Sequence, residues 1–394
     1  MSDFPYADRL AIHYQLPESG LDRESVHDAL TLMARAEDPV WESGQCSGTM
    51  YCGDHDHYDF VNKAFSYFSH VNALQRDMCP SATKFEAEII AMTLDLLGGT
   101  PGPDTRPAGL VTSGGSASIA HAVLAYRESH PDVAHPVMIK PETAHPAFSK
   151  AGHLFGVTMR VAPVDPVTTQ VDLDWVAAHI DADTVALIGS ATNYGYGTID
   201  PIGELGALAL DHGIGLHVDA CLGGFILPFG RELGYDIAPF DLRVPGVTSI
   251  SADTHKYGYA LKGTSVLCVA DRALRNAQYF YQSDWSGGKY CSPGMDGSRS
   301  GGLLTATWAV IVLRHDRGLR SEPTSPPTRR RPCRTCPVDD VAGGSGGSPP
   351  RPRRRSPGGD GRARRGRNRC SRHRPSRGCR NLPTSASAPR SPWR

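Results

Sequence analysis

The chain has 394 residues, 40% of them apolar and 21% charged, which suits a soluble protein of two or three packed domains. Its formal net charge is zero, but residues 321–394 hold 19 arginines, no lysine and four acids, so the remainder is correspondingly acidic. No run approaches the roughly 18 consecutive apolar residues of a membrane span, the start MSDFPYADRL lacks the apolar centre of a secretory signal, and six cysteines scattered over residues 1–320 suit a reduced, cytoplasmic protein without a disulfide framework.

Residues 1–80 are polar and irregular apart from a predicted helix over 23–36. Apolar residues at helical spacing over 84–97 (KFEAEIIAMTLDLL) predict a second helix, stopped by Gly98-Gly99. An alternation then begins. Strands are predicted over 108–112, 135–140, 157–163, 185–190, 215–219, 247–252 and 264–270. Helices are predicted over 116–129, 144–155, 173–180 and 201–211. Short continuous apolar strands alternating with amphipathic helices predict an α/β fold whose largely parallel sheet is buried on both faces. From about residue 315 the chain has no periodicity and is rich in Arg, Pro, Ser and Gly, so disorder is expected there.

Open α/β sheets bind ligands at the carboxyl ends of their strands, so the residues predicted there carry the chemistry. Thr112-Ser113-Gly114-Gly115-Ser116 opens a helix, where glycines and free N–H groups can cradle a phosphate; an ordinary tight turn has the same pattern. Asp219 ends a buried strand, a costly place for an acid without a cationic partner; a helix cap or ion pair would also account for it. Lys256 follows another strand, where an apolar wall can lower its pKa and make it a nucleophile, although most such lysines are solvated charges. His145 lies at a further strand–helix turn and alone reads as structural. Together, a phosphate cradle, a carboxylate and a lysine suit pyridoxal 5′-phosphate: the lysine forms the Schiff base and the acid keeps the pyridine nitrogen protonated.

The blocks HVDACLGGF (217–225) and SADTHKYGYALKGTS (251–265) resemble the sphingosine-1-phosphate lyase family, of the group II decarboxylase superfamily and fold type I. The similarity runs from about residue 47 to 308. It includes SGTMY (47–51), NAL (72–74), KFEAE (84–88), TSGGS (112–116), AHPAF (144–148), DWSGG (284–288) and GSRSGG (297–302). The resemblance implies a large domain with a mostly parallel seven-stranded sheet flanked by helices. It implies Lys256 as the Schiff-base lysine, Asp219 as the pyridinium partner, His145 as the ring-stacking residue, and Gly114, Gly115, Ser116 and His255 as phosphate-binding positions. Lys256 and His255 are the implied proton-transfer groups. Gly301 and Gly302 resemble a loop that reaches the neighbouring subunit's cofactor, implying a homodimer with shared sites. Tyr51, Asn72, Lys262 and Arg299 resemble positions around the phosphate and polar head of a phosphorylated sphingoid base. The implied reaction is retro-aldol cleavage to a long-chain aldehyde and phosphoethanolamine. A pyridoxal-dependent amino-acid decarboxylase and an inactive truncated product are the alternatives.

Three departures stand out. The family's Gly-Gly-Thr-Glu is Gly114-Gly115-Ser116-Ala117 here, which keeps a hydroxyl but loses an acid. The family's Asn-Pro-Leu-His is Asn72-Ala73-Leu74-Gln75, and a glutamine can hydrogen-bond but not carry charge. Where the family continues into a small C-terminal domain, the tail of 315–394 begins, with the composition expected of a reading-frame shift in a GC-rich gene. The expected organisation is a 1–80 segment serving dimer and active site, an 81–314 cofactor domain, and the tail. Cys333, Cys336, Cys370, His373 and Cys379 fit no usual zinc spacing, so no metal is expected. The arginine runs lack interleaved aromatics, so no specific nucleic-acid partner is expected.

Overall fold

The computed structural model describes residues 4–44, 48–52, 54–102 and 105–314. The expectations for residues 315–394, including the cysteine–histidine group and the arginine runs, lie outside the described residues. In chain order the elements are α1 (Arg23–Glu42), α2 (His55–Tyr67), α3 (Pro80–Leu96), β1 (Ala108–Thr112), α4 (Gly115–Glu128), β2 (Val137–Pro141), α5 (Ala147–Phe155), β3 (Thr158–Ala162), α6 (Leu173–Ala178), β4 (Thr184–Ser190), α7 (Ile202–His212), β5 (Gly215–Asp219), α8 (Leu227–Glu232), β6 (Ser249–Ala252), β7 (Ser265–Val269), α9 (Arg272–Ala277), β8 (Phe280–Trp285), β9 (Gly288–Ser292) and α10 (Gly301–Arg314).

Seven strands form one sheet in the order β1-β7-β6-β5-β4-β2-β3. β7 runs antiparallel to both neighbours, and the other pairings are parallel. Strands β2, β4, β5, β6 and β7 are buried along their whole length, which is why they read as continuous apolar runs. Ile139, Leu187, Leu216 and Val218 face a layer that includes Ile89 of α3 and Leu205 of α7. Met138 and Ile188 face Ile119 and Val123 of α4 and Phe148 of α5. Each fully buried side chain of this size contributes about 1.5–3 kcal/mol, so neither face could be left to water.

Strand parity then decides where the polar residues of β5 go. Leu216 and Val218 point to the α3–α7 layer, so Gly215, His217 and Asp219 share the α4–α5 side. The His217 ring lies 5.7 Å from that of Phe148. Gly215 must lack a side chain, because a Cβ would sit 2.2 Å from Cε1 of Tyr126.

Two contacts fasten the segment before the sheet. On α2, Val61 packs with Ala306 and Val310 of α10, flanked by Phe65. On α3, the buried carboxylate of Glu86 accepts from Arg299 at 2.7 and 3.1 Å and from Arg76 at 2.6 Å. Helix α1 runs past the predicted 23–36 to Glu42 with Pro39 inside it. Helix α2 was not predicted, because only Val61 and Ala64 of its thirteen residues are buried. The β8–β9 hairpin is almost wholly exposed and so carries no in–out alternation to read. Among the described residues no helix is long and apolar enough to cross a membrane.

Glu86→Gln should destabilise the fold by about 3 kcal/mol, since it removes the buried carboxylate that pairs with the part-buried Arg299. Glu128→Gln, in an exposed pair with Arg127, should change stability by less than about 0.5 kcal/mol. Urea unfolding midpoints check both; equal midpoints would mean that Glu86 does not anchor this corner.

Candidate active site

The parallel strands bring their carboxyl ends to one edge. Thr112 leads through Gly114 into α4, His145 lies between β2 and α5, Ser190 leads into Ala191–Asn193, Asp219 ends β5, and Asp253–Lys256 follow β6. These segments surround a cavity of about 440 Å³ lined by Gly115, Ser116, His145, Asp219, His255 and Lys256, together with Tyr51 and Lys262.

Asp219 is 6% exposed. Its Oδ1 accepts from the Cys221 N–H at 3.0 Å and the Ser251 hydroxyl at 3.3 Å. Among the described residues Oδ2 makes no hydrogen bond, so it is left to the cavity. Lys256 Nζ lies 2.9 Å from Asp253 Oδ2. The sequence predicts a lowered amine pKa, and the structure reverses it. Burial does pull the ammonium down, but the carboxylates of Asp253 and Asp219 outweigh it and hold Lys256 above the ordinary lysine range. Burial, reinforced by Asp219 and Asp253, pushes the Cys221 thiol well up, so at neutral pH it is uncharged and the two carboxylates act on the lysine.

The opposite wall is built for an anion. Gly114 caps α4 with φ 145°, and the first N–H groups of the helix have no intrahelical acceptor. Gly115 packs directly on Asp253, because a Cβ there would lie 2.6 Å from its Oδ2. His255 donates from Nδ1 to the Thr264 carbonyl at 2.7 Å, with Nε2 3.7 Å from Asp253 Oδ2. The His145 Nδ1 accepts the Ala147 N–H at 3.1 Å, which places its ring proton on Nε2. At the mouth, Lys262 Nζ stands 5.0 Å over the Tyr51 ring and donates to the His255 carbonyl at 3.2 Å.

A carboxylate for a ring N–H, a lysine beside it and a helix start for a phosphate now share one cavity. The pyridoxal-dependent decarboxylase conserved domain matches residues 66–283. The sphingosine-1-phosphate lyase of Burkholderia pseudomallei is 55% identical, with a TM-score of 0.77 over 79% of this chain and 72% of that one. The chain belongs to the pyridoxal-dependent decarboxylase family and, within it, to the sphingosine-1-phosphate lyase group. The sphingosine-1-phosphate lyase of Dictyostelium discoideum is 44% identical over 76% of this chain and 56% of its own, and sphingosine-1-phosphate lyase 1 of Rattus norvegicus is 42% identical over 75% and 52%. The chain thus spans about half the length of these curated relatives. A glutamate decarboxylase of Lactobacillus brevis, 20% identical with a TM-score of 0.68, shares the fold.

The family's cofactor is pyridoxal 5′-phosphate, and the residues present fit it. Lys256 and the free oxygen of Asp219 border the same space, and the α4 start, with N–H groups that no intrahelical acceptor takes, borders it too and suits a phosphate.

Five predicted residues lie outside this cavity within the chain, the first being Gly114, the cap of α4, which lines a neighbouring cavity with Ser113 and Lys150. The guanidinium of Arg299 is held by both oxygens of Glu86 and by the Val111 carbonyl, in a separate small cavity. Asn72 donates to Ser298 Oγ at 2.9 Å and accepts the Arg299 N–H at 3.2 Å. Gly301 and Gly302 start α10 and pack on Val71 and Phe65, with the Gly301 N–H given to the Val71 carbonyl. Conversely, the structure adds Asp253 and the stretch Thr192-Asn193-Tyr194 to the lining. Asp253 lies inside the quoted SADTHKYG block, so its spacing of three before Lys256 was a usable signal. Residues 192–194 follow a predicted strand, and that position was their only signal.

Gly115→Ala should retain the fold and weaken cofactor binding by about tenfold or more, as the displaced helix start loses a charge-assisted hydrogen bond. An absorbance titration with pyridoxal phosphate checks it, and unchanged affinity would remove Gly115 from the cradle.

The acid response of the site strands has a definite sign. Burial, opposed by Asp219, depresses His217 to about 4, whereas an unfolded histidine titrates near 6.5. The unfolded chain therefore takes up this proton first, and the His217 contribution to stability is lost as pH falls from about 6.5 to 4, by about 3 kcal/mol. Burial, opposed by the Ser190 and Val171 N–H groups, raises Asp200 to about 6, so its contribution grows as pH falls through 6 and opposes that of His217. Relative to the parent, His217→Gln should gain stability between pH 6.5 and 4. Urea unfolding at several pH values measures this, and parallel curves would contradict a neutral His217.

Proposed function

We propose that this protein is a carbon–carbon lyase that cleaves a phosphorylated sphingoid base, such as sphingosine 1-phosphate, to a long-chain aldehyde and phosphoethanolamine. The observation that carries the reading is the shared cavity of Lys256, Asp219 and the α4 start, with Lys262 and Tyr51 at its mouth. Bound there, pyridoxal phosphate supplies an electron sink for the carbanion left when the C2–C3 bond breaks. Lys256 holds the cofactor covalently. Asp219 keeps the proton on the ring nitrogen through Oδ2. Gly114, Gly115, Ser116 and His255 hold the phosphate, and His145 covers the ring. Lys256 and His255 are the groups placed to take the proton of the C3 hydroxyl and to return one to C2. Lys262 and Tyr51 receive the phosphate of the substrate. Burial lowers the Lys262 pKa, partly offset by Asp253.

The working unit in this reading is a cytoplasmic homodimer whose copies share sites, with the 1–80 segment serving both the dimer contact and the active site. Exposed Phe280, Tyr281 and Trp285 on the β8–β9 hairpin support a second copy, since such a cluster is costly in water.

Lys256→Ala should abolish covalent cofactor retention and lower product formation by at least about 10³-fold. Incubating the parent chain with pyridoxal phosphate and a phosphorylated sphingoid base should yield aldehyde and phosphoethanolamine. Carbon dioxide plus amine from an amino acid would instead make the protein a decarboxylase, and neither product would leave the inactive alternative.

A further inference from the structure

We propose that Ser251 and His217 are positioning residues that lock the Asp219 carboxylate from behind, through a one-way hydrogen-bond chain that begins at Tyr126. The inference rests on the cofactor reading above.

The register of β5 on β6 sets it up. His217 pairs with Ser249 and Asp219 with Ser251, so each serine stands opposite its acceptor or donor. His217 is fully buried, with Nδ1 2.7 Å from Ser249 Oγ and Nε2 3.4 Å from Ser251 Oγ. Ser251 Oγ lies 3.3 Å from Asp219 Oδ1, and the Cys221 Sγ donates to Ser251 at 3.3 Å. The Tyr126 hydroxyl lies 2.7 Å from Ser249 Oγ.

Proton directions follow from one end. An ionised carboxylate only accepts, so the Ser251 hydroxyl proton must point at Asp219. Ser251 then uses its lone pairs to accept the Cys221 S–H and the Nε2–H of His217. A neutral imidazole carries one N–H, so Nδ1 is an acceptor and takes the Ser249 proton. The Ser249 oxygen in turn accepts from Tyr126. Each member of this buried row is satisfied in only one orientation, which fixes the His217 tautomer. The result is a carboxylate with Oδ1 pinned by Ser251 and the Cys221 N–H, unable to turn Oδ2 away from a ring nitrogen.

The test uses the full chain and two probes, pyridoxal phosphate and its 1-deaza analogue, in which C–H replaces the ring nitrogen. Ser251→Ala should weaken pyridoxal phosphate binding by about tenfold and leave binding of the analogue within about twofold, because only the first probe uses Asp219. Equal weakening of both probes, or weakening of neither, would overturn the proposal. Nitrogen-15 spectra of the unloaded chain, with the His217 signals identified by their loss in His217→Gln, should show the proton on Nε2. A proton on Nδ1 would overturn the chain direction. Failure of the parent chain to bind pyridoxal phosphate would sink the cofactor reading instead, and the tautomer would still decide this inference.

Discussion

The site depends on a charge imbalance that the fold buries on purpose. Asp219 and Asp253 are 6% and 2% exposed, and Lys256 is the cation between them. Two buried carboxylates beside one ammonium leave a deficit of positive charge, which a low-dielectric site tolerates poorly. A ligand with a protonated ring nitrogen supplies the missing cation next to Asp219. An anionic group on that ligand would meet the partial positive charge of the α4 start, beside His255. The cavity is therefore polarised end to end, and a ligand of one charge sign alone would satisfy only half of it.

That polarity comes from topology. Because β1, β2, β4, β5 and β6 all run the same way, the helix starts and strand ends fall on one edge. The antiparallel β7 contributes differently: it begins at this edge, so Thr264 arrives there and its carbonyl accepts from His255. The Thr264 hydroxyl meets those of Thr254 and Thr307 at 2.7 and 2.8 Å, which stitches the loop carrying Lys256 to α10. The lysine loop is thus held by the sheet on one side and by a helix on the other.

Much of this was legible in the sequence, for a physical reason. Strands buried on both faces must be continuous apolar runs, so six of the seven strands of the sheet could be located in this way, β3 being a largely exposed edge strand, and the residues at their ends followed. Lys256, Asp219 and Ser116 are visible in this way. Exposure removes that signal, which is why α2 and the β8–β9 hairpin were not predicted. The Lys256 electrostatics were only half legible: the apolar wall points to a lowered pKa, and the opposing charge comes from Asp253, three residues before it, together with Asp219 on the neighbouring strand. Arg299 lies outside the cavity for a similarly non-local reason. Its partner Glu86 is far off in sequence, and a buried glutamate claims an arginine more strongly than an open cavity does.

Residues at the cavity divide by what they must recognise. In the proposed reading Asp219, Gly115 and His145 address the cofactor from strand ends and helix starts, and Lys256 from a loop pinned to the sheet and to α10, where placement is enforced by packing. Tyr51 and Lys262 lie on loops at the mouth and contact each other by a cation over a ring. Burial lowers the pKa of this ammonium, Asp253 works to keep its charge, and it already gives one hydrogen bond to the His255 carbonyl. In the proposed reading, chemistry is set by the rigid edge of the sheet, and substrate choice by a few polar side chains on the loops in front of it.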